Sequence, residues 1–210
     1  MNQGSNATMW RRCGLFTNQC LQYLHSMQRR WWKAKFYLEA YGSLSEIKRG
    51  IGLRFDVPVR VGSGLGSLEI GDSVGFGWPA APMLGDGTIL IEPRSSDSVI
   101  EIGSGTIFSN NVSIVSMGGV KIGERCLIGD QTLIFDCDFH ELAPAKRMDG
   151  VGPIEPVTIG NNVWFGSRTQ ILRGVSIGDN SVIGAGSVVV HNIPANSVAA
   201  GVPAKVIRSL

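Results

Sequence analysis

The chain has 210 residues, which fits one large domain or one domain with a small appendage. Hydrophobic residues make up 43% of it and charged residues only 17%, which excludes a highly charged disordered chain. The net charge is +2. The 28 glycines do not recur at every third position, so a collagen-like fibre is excluded as well. No apolar run approaches the roughly 18 residues of a membrane span, and no export signal is evident, so we expect a cytoplasmic protein.

The four cysteines are too few and too scattered for a disulfide framework: Cys13, Cys20, Cys126 and Cys137. None of them forms a CxxC pair, so no metal site is expected.

Residues 1–49 are predicted to form a helical, basic segment. One or two helices over about residues 8–41, ended by Gly42, are indicated by apolar residues on one helical arc: Leu21, Leu24, Met27, Trp31 and Leu38. Residues 1–60 contain ten Lys or Arg against three acidic residues, a charge of +7, so residues 61–210 carry −5. We expect no nucleic acid as a partner.

Two interpretations of this segment stay open. It would cap the open end of a repetitive β-structure, which such columns require. Alternatively, its basic and aromatic residues would contact the inner face of the membrane: Trp10, Trp31, Trp32 and Phe36.

Residues 50–194 are predicted to form a β-solenoid, of which residues 50–100 make irregular coils. One clear six-residue unit begins at Ile70, and the segment from Gly77 to Gly87 is predicted to be a loop.

From Ile102 onward an apolar residue leads each unit of six. The leading residues are Ile102, Phe108, Ile114, Ile122, Ile128, Ile134, Ile159, Phe165, Ile171, Ile177, Ile183 and Val189. Every fifth position except Asp138 is small or β-branched. This period suits neither a 3.6-residue helix nor a plain two-residue alternation, so it predicts short strands joined by turns into stacked coils. Glycines that follow the leading residue, such as Gly160 and Gly166, are expected at turns where a positive φ is needed.

The repeat is interrupted by a polar excursion over residues 140–158. Long irregular loops in a compact domain are often functional, and this one begins at His140. Histidine is the natural general base near neutral pH, so His140 is a catalytic candidate. Asp136, Asp138 and Glu155 are candidates for orienting its imidazole. Residues 195–210 leave the repeat and are predicted to form a C-terminal tail.

These features resemble the hexapeptide-repeat acyltransferases over about residues 100–210. The resemblance rests on the repeats, on the interval from His140 to Trp164, and on three motifs: Ile159-Gly160-Asn161-Asn162-Val163-Trp164, Ile183-Gly184-Ala185-Gly186-Ser187-Val188, and Ala200-Gly201-Val202-Pro203-Ala204-Lys205-Val206-Ile207-Arg208. The most similar branch comprises the galactoside, maltose and nodulation-factor O-acetyltransferases, with polysaccharide O-acetyltransferases.

The resemblance implies a left-handed parallel β-helix, a homotrimer, and acetyl-CoA bound between adjacent subunits. His140 would deprotonate the acceptor hydroxyl, and Asn110 matches an acceptor-binding asparagine. The positions that match cofactor contacts are Trp164, Ser167, Ala185, His191 and Arg208. Cations are needed for the cofactor phosphates, and the candidates are Arg168, Arg173, Lys205 and Arg208.

The predicted function is an acetyl-CoA-dependent O-acetyltransferase that acts on a sugar hydroxyl of a cell-surface polysaccharide or its precursor. Two alternatives stay open. One is an N-acetyltransferase of a nucleotide-linked amino sugar, because the same base would serve an amine. The other is a trimeric solenoid scaffold without activity.

Overall fold

The computed structural model describes residues 4–62 and 64–210. These residues form one long helix, twenty short strands and a short 3-10 helix at Pro144–Lys146. The helix α1 spans Gly4–Ser43. The strands are β1 (Glu46–Arg49), β2 (Arg54–Phe55), β3 (Val59–Arg60), β4 (Ser67–Ile70), β5 (Gly75–Phe76), β6 (Ile89–Pro93), β7 (Val99–Ile102), β8 (Ile107–Phe108), β9 (Ser113–Ser116), β10 (Gly119–Ile122), β11 (Leu127–Ile128), β12 (Leu133–Phe135), β13 (Val157–Ile159), β14 (Trp164–Phe165), β15 (Gln170–Ile171), β16 (Ser176–Ile177), β17 (Val182–Ile183), β18 (Val188–Val189), β19 (Ser197–Gly201) and β20 (Ala204–Ser209).

The strands form three sheets in which hydrogen-bonded neighbours are three strands apart in sequence, except for β17, β19 and β20 at the end of sheet B. Sheet A has the order β1-β4-β7-β10-β13-β16, sheet B has β2-β5-β8-β11-β14-β17-β19-β20, and sheet C has β3-β6-β9-β12-β15-β18. The neighbours in each sheet are parallel, except that β19 and β20 are antiparallel. Each coil therefore gives one strand to each sheet, and the predicted left-handed parallel β-helix is confirmed.

The core is a ladder of the leading residues of the six-residue units. All twelve of them are at most 3% exposed. In sheet A, Ile122 lies in register between Ile102 of the preceding coil and Ile159 of the next. Burying one such side chain contributes about 1.5–3 kcal/mol, so the repeat in the sequence is the physical basis of the column.

The glycines that follow the leading residues do not have the positive φ that the sequence predicts. Gly160 and Gly166 do not have a positive φ. A Cβ on Gly166 would lie 2.6 Å from the backbone nitrogen of Ala185, so glycine is needed there because successive coils approach closely. The positive φ occurs two residues later, at the fourth position of most units: Gly105, Asn111, Arg125, Gln131, Asn162, Arg168, Gly174, Asn180 and Gly186.

The C-terminal part of α1 covers the open end of the column. Phe36 and Ala40 are fully buried there. The Phe36 ring lies 5.2 Å from that of Phe55, and the rings of Phe76 and Phe108 continue the stack below it. The side chains of Trp10 and Leu21 are not among those that the structure describes. Within residues 4–62 and 64–210, no helix combines the length and apolar character that crossing a membrane requires.

The column is longer than the repeat in the sequence. Its first strand, β1, lies inside the segment 1–49 that was predicted to be helical, and it pairs with β4. Residues 50–100 form coils in register with the regular ones. The predicted tail, residues 195–210, extends sheet B through β19 and β20. Backbone pairing continues at both ends because it does not depend on the six-residue period of the side chains.

Candidate active site

The excursion at residues 140–158 leaves the column through a short antiparallel ribbon. Cys137 forms an isolated antiparallel bridge with Ile154. The backbone N–H of Asp138 donates to the carbonyl oxygen of Pro153 at 3.1 Å, and that of Gly152 donates to Asp138 at 2.8 Å. His140 comes two residues after Asp138, so this ribbon carries it away from the core onto the surface.

The imidazole of His140 is exposed and is held by the backbone of its own loop. Its Nδ1 lies 3.0 Å from the carbonyl oxygen of Arg147. A carbonyl oxygen can only accept a hydrogen bond, so Nδ1 is the donor in this arrangement, and in the neutral ring the lone pair is then on Nε2. This tautomer is the one that a general base acting through Nε2 requires.

Asp136 has a structural role instead of orienting His140. Its carboxylate is fully buried and accepts hydrogen bonds from the Ser116 hydroxyl at 2.7 Å and from three successive backbone N–H groups at 2.6–2.8 Å: Met117, Gly118 and Gly119. It thereby holds the turn at which the repeat slips by two residues. The expectation that Asp136 orients the imidazole was wrong.

The two other carboxylates are held by an arginine of the column. Nε of Arg173 donates to Asp138 at 2.9 Å, and Nη1 donates to Glu155. Asp138 lies on the outgoing strand of the ribbon and Glu155 on the returning one. Arg173 therefore ties both ends of the His140 loop to the coil beneath them, and its charge is already paired.

A surface groove of about 450 Å³ lies beside this ion-pair cluster. Asp138, Glu155, Arg173 and His191 are among its lining residues. The structure thus brings His191 to the base of the His140 loop.

The outer face of sheet B carries an apolar strip with cations at one end. Trp164 is 54% exposed and lies in register with Leu127 on one side and Val182 on the other. The strip continues to Val198, which pairs with Arg208, while Lys205 pairs with Ala200. Ala185 is exposed on the turn after this face, and the Ser167 hydroxyl donates to Asp130.

Asn110 is fully buried, and its side-chain amide holds the loop of residues 77–87. Its Oδ1 accepts from the Trp78 backbone N–H at 3.0 Å. Its Nδ2 donates to the carbonyl oxygens of Trp78, Ala81 and Pro82 at 3.3–3.4 Å. The amide therefore shapes this loop and does not face solvent within this chain.

Sequence reasoning missed the two interactions that organise the loop. The bond from His140 to Arg147 has no sequence signal, because it uses a backbone carbonyl. The pairing of Asp138 with Arg173 did have a sequence signal, because Asp138 is the only charged residue among the fifth positions of the repeat. Among the described residues, no group of His, Cys, Asp or Glu is arranged to hold a metal ion.

Comparison with known proteins agrees with this architecture. Residues 156–191 match the family described as bacterial transferase hexapeptide (six repeats). The galactoside O-acetyltransferase of Escherichia coli is 46% identical over 116 residues, which are 55% of this chain and 57% of that protein. A putative acetyltransferase of Saccharomyces cerevisiae is 43% identical over 54% of this chain and 57% of its own length.

Solved structures extend the likeness. A galactoside acetyltransferase in complex with coenzyme A has a TM-score of 0.51 and 40% identity, covering 65% of this chain and 64% of that one. A polySia specific acetyltransferase has a TM-score of 0.54 at 24% identity, covering 80% of this chain and 85% of that one, which shows a shared fold.

The fold and the matched repeats define a left-handed β-helix of hexapeptide repeats. Residues 156–191 match the hexapeptide family, and the chain is similar to galactoside O-acetyltransferase and related acetyltransferases, so the resemblance is confirmed. The matched segment spans a little over half the length of the two relatives named above.

Proposed function

We propose that this chain is an acetyl-CoA-dependent O-acetyltransferase that acts on a sugar hydroxyl of a cell-surface polysaccharide or its precursor, in the cytoplasm. The observation that carries the proposal is the exposed imidazole of His140, with Nδ1 bonded to the Arg147 carbonyl and Nε2 free. The 46% identity to galactoside O-acetyltransferase supports the choice of a sugar hydroxyl as acceptor.

In this mechanism, Nε2 of His140 takes the proton from the acceptor hydroxyl while the oxygen of that hydroxyl attacks the thioester carbon of acetyl-CoA. The same nitrogen then returns the proton to the departing sulfur. The Arg147 carbonyl stabilises the imidazolium that forms between these steps, because it accepts the Nδ1–H bond throughout. A positioned base of this kind is worth about 10² to 10⁴ in rate.

The strip on sheet B fits acetyl-CoA, which would supply the acetyl group as a thioester. Trp164 and its apolar neighbours would line the uncharged pantetheine arm, while Lys205 and Arg208 would meet the phosphates. We assign Ser167 and Ala185 to the same binding surface, and His191 to a cofactor contact in the groove beside the His140 loop. Arg173 is a poor phosphate ligand because Asp138 and Glu155 already pair its charge.

A homotrimer completes the proposed site. The strip lies on sheet B, whereas the His140 loop connects β12 of sheet C to β13 of sheet A. In a trimer, the strip of one column would face the His140 loop of its neighbour and form a channel with it. Asn110 would contribute to the acceptor side by holding the loop of residues 77–87 against that channel.

The test compares His140→Asn with the wild type in an assay of CoA release and acetylated product mass. Asparagine can still donate to the Arg147 carbonyl but cannot act as a base, so we expect turnover to fall by about 10² to 10⁴ with the loop intact. His25→Ala is the matched control, because it removes an exposed histidine of α1, and its turnover should be unchanged.

Three outcomes would contradict the proposal. Unchanged turnover in His140→Asn would overturn the catalytic assignment. Faster transfer to amino sugars than to hydroxyl acceptors would favour the N-acetyltransferase alternative. Absence of acetyl transfer to any sugar, with no acetyl-CoA binding by the wild type, would favour the scaffold.

A further inference from the structure

An apolar stripe runs along the face of α1 that points away from the column. Its six residues, here called the helix stripe, are Leu24, Met27, Trp31, Ala34, Leu38 and Tyr41. All six are exposed, and the five larger side chains are 51–73% exposed. A continuous apolar surface of this kind in water marks an interaction site.

The helix stripe is separate from the capping face of the same helix. Phe36 and Ala40 are buried against the column, and Arg29 on that side pairs with Asp56 at 3.1 Å. At 100° per residue, the stripe lies on the opposite side of α1. The helix therefore has two apolar faces, and its own column covers one of them.

We propose that the helix stripe packs against the same stripe of a second copy of this chain, with the two helices antiparallel. This association goes beyond acetyl transfer and does not depend on it.

The spacing of the stripe identifies a helix as the occupant. Successive members are separated by 3, 4, 3, 4 and 3 residues, which is the spacing of the a and d positions of a coiled coil. Such a narrow seam matches a second helix, whereas a helix on a lipid surface buries a broader face. From Leu24 to Tyr41 the seam is about 26 Å long, at 1.5 Å per residue.

The sizes of the side chains select the antiparallel direction. When two stripes are antiparallel about a point between residues 32 and 33, Trp31 faces Ala34 of the second copy, so a large side chain fills the space beside a small one. Met27 then faces Leu38, and Leu24 faces Tyr41. In a parallel pair, the Trp31 side chains of the two copies would face each other and clash. The two Ala34 side chains would also face each other and leave a gap between the helices.

The charges beside the seam favour the same direction. Arg30 and Lys35 flank the stripe on its two sides. In a parallel pair these positions face each other across the seam and repel. In the antiparallel pair, the side of the stripe that carries Lys35 faces the same side of the stripe on the second copy. Lys35 then lies near the neutral Gln28 of that copy.

The first experiment measures the mass of the full chain in solution by sedimentation velocity and light scattering. The double variant Trp31→Glu/Leu38→Glu should have half the particle mass of the wild type, because it places charges in the seam. Ile51→Glu is the matched control: Ile51 is 77% exposed outside the stripe, and its variant should keep the wild-type mass. Far-UV circular dichroism checks that the column remains folded.

The second experiment tests the direction by crosslinking in a Cys13→Ser/Cys20→Ser background. Copper-phenanthroline and dioxygen oxidise two adjacent thiols to a disulfide. The double variant Leu24→Cys/Tyr41→Cys should form a covalent dimer, because the new thiol at position 24 of one copy faces the new thiol at position 41 of the other. Leu24→Cys alone and Tyr41→Cys alone should remain monomeric on denaturing gels.

The proposal is overturned if the wild type and Trp31→Glu/Leu38→Glu have equal mass. It is also overturned if Leu24→Cys alone crosslinks, which would show a parallel pair. Binding of the wild type to vesicles with anionic lipids, lost in the double glutamate variant without a change in mass, would identify a membrane surface as the occupant instead.

Discussion

The imidazole of His140 is oriented by a carbonyl oxygen seven residues later in the same loop. The three carboxylates that the sequence suggested as partners of this ring form other contacts. Asp136 holds a buried turn, while Asp138 and Glu155 bind Arg173. The carbonyl therefore orients the ring without placing a carboxylate charge beside it.

Cys137, beside Asp136, gives a prediction at the same scale. Burial raises the pKa of its thiol to about 11, and the negative charge of Asp136 adds to the rise. The thiol is therefore protonated at neutral pH, and only the thiolate reacts with alkylating reagents.

We expect Cys137 in the folded protein to react with iodoacetamide at pH 8 at least about a hundredfold more slowly than an ordinary thiol, because its pKa is raised by about two units. The rate should rise about tenfold per pH unit until the pH approaches 11. Peptide mass spectrometry measures the labelling, and the exposed Cys20 is the internal control. Equal labelling of both cysteines at pH 8 would contradict the assignment.

The His140 loop is the element on which the proposed chemistry depends, and its two ends are fixed by one side chain. Arg173 is 27% exposed and pairs with Asp138 and Glu155 on the two strands of the ribbon. Partly buried charge-assisted bonds of this kind are stronger than surface ion pairs. The loop is thus anchored at its root while its tip, with a short 3-10 helix at Pro144–Lys146, is exposed.

Arg173→Ala should therefore increase local opening of the loop. We expect tryptic cleavage after Lys146 or Arg147 to become about tenfold faster, which corresponds to about 1.4 kcal/mol of lost anchoring. Arg125→Ala is the matched control, because Arg125 forms an exposed ion pair with the adjacent Glu124. If both variants are cleaved at the wild-type rate, Arg173 does not anchor the loop.

The whole molecule is a column whose interior is continuous from the helical cap to the last coil. Phe36 of α1 begins a stack of rings that passes through Phe55 and Phe76 to Phe108. A β-helix has no self-terminating core, so each end needs a cover that buries the last layer. Here α1 covers one end, and the antiparallel pair β19 and β20 extends sheet B at the other.

Phe36→Ala should lower the free energy of unfolding by about 3–5 kcal/mol, because it leaves a cavity at the junction of cap and column. Chemical denaturation followed by circular dichroism measures the change. Ile51→Ala, at a residue that is 77% exposed, should change the free energy by less than about 0.5 kcal/mol. Similar stability of both variants would show that the cap does not contribute to the core.

The spacing of Ile159, Phe165 and Ile171 was sufficient to predict stacked coils, because a fixed period of buried side chains repeats the same local structure in every coil. The loop at His140 was predictable for the same reason, as the place where the period is lost. The role of the glycines was not, since close approach between coils involves residues about eighteen positions apart, such as Gly166 and Ala185.

The sequence by itself therefore determined the solenoid, its inward-facing residues and the position of the candidate base, all of which follow from local periodicity. Tertiary structure alone decided which carboxylates are free, which face of α1 covers the column, and how far the coils extend beyond the repeat. Those features depend on contacts between distant residues, as between Asp136 and Gly119 or Arg173 and Asp138, and no local pattern encodes the geometry of such contacts.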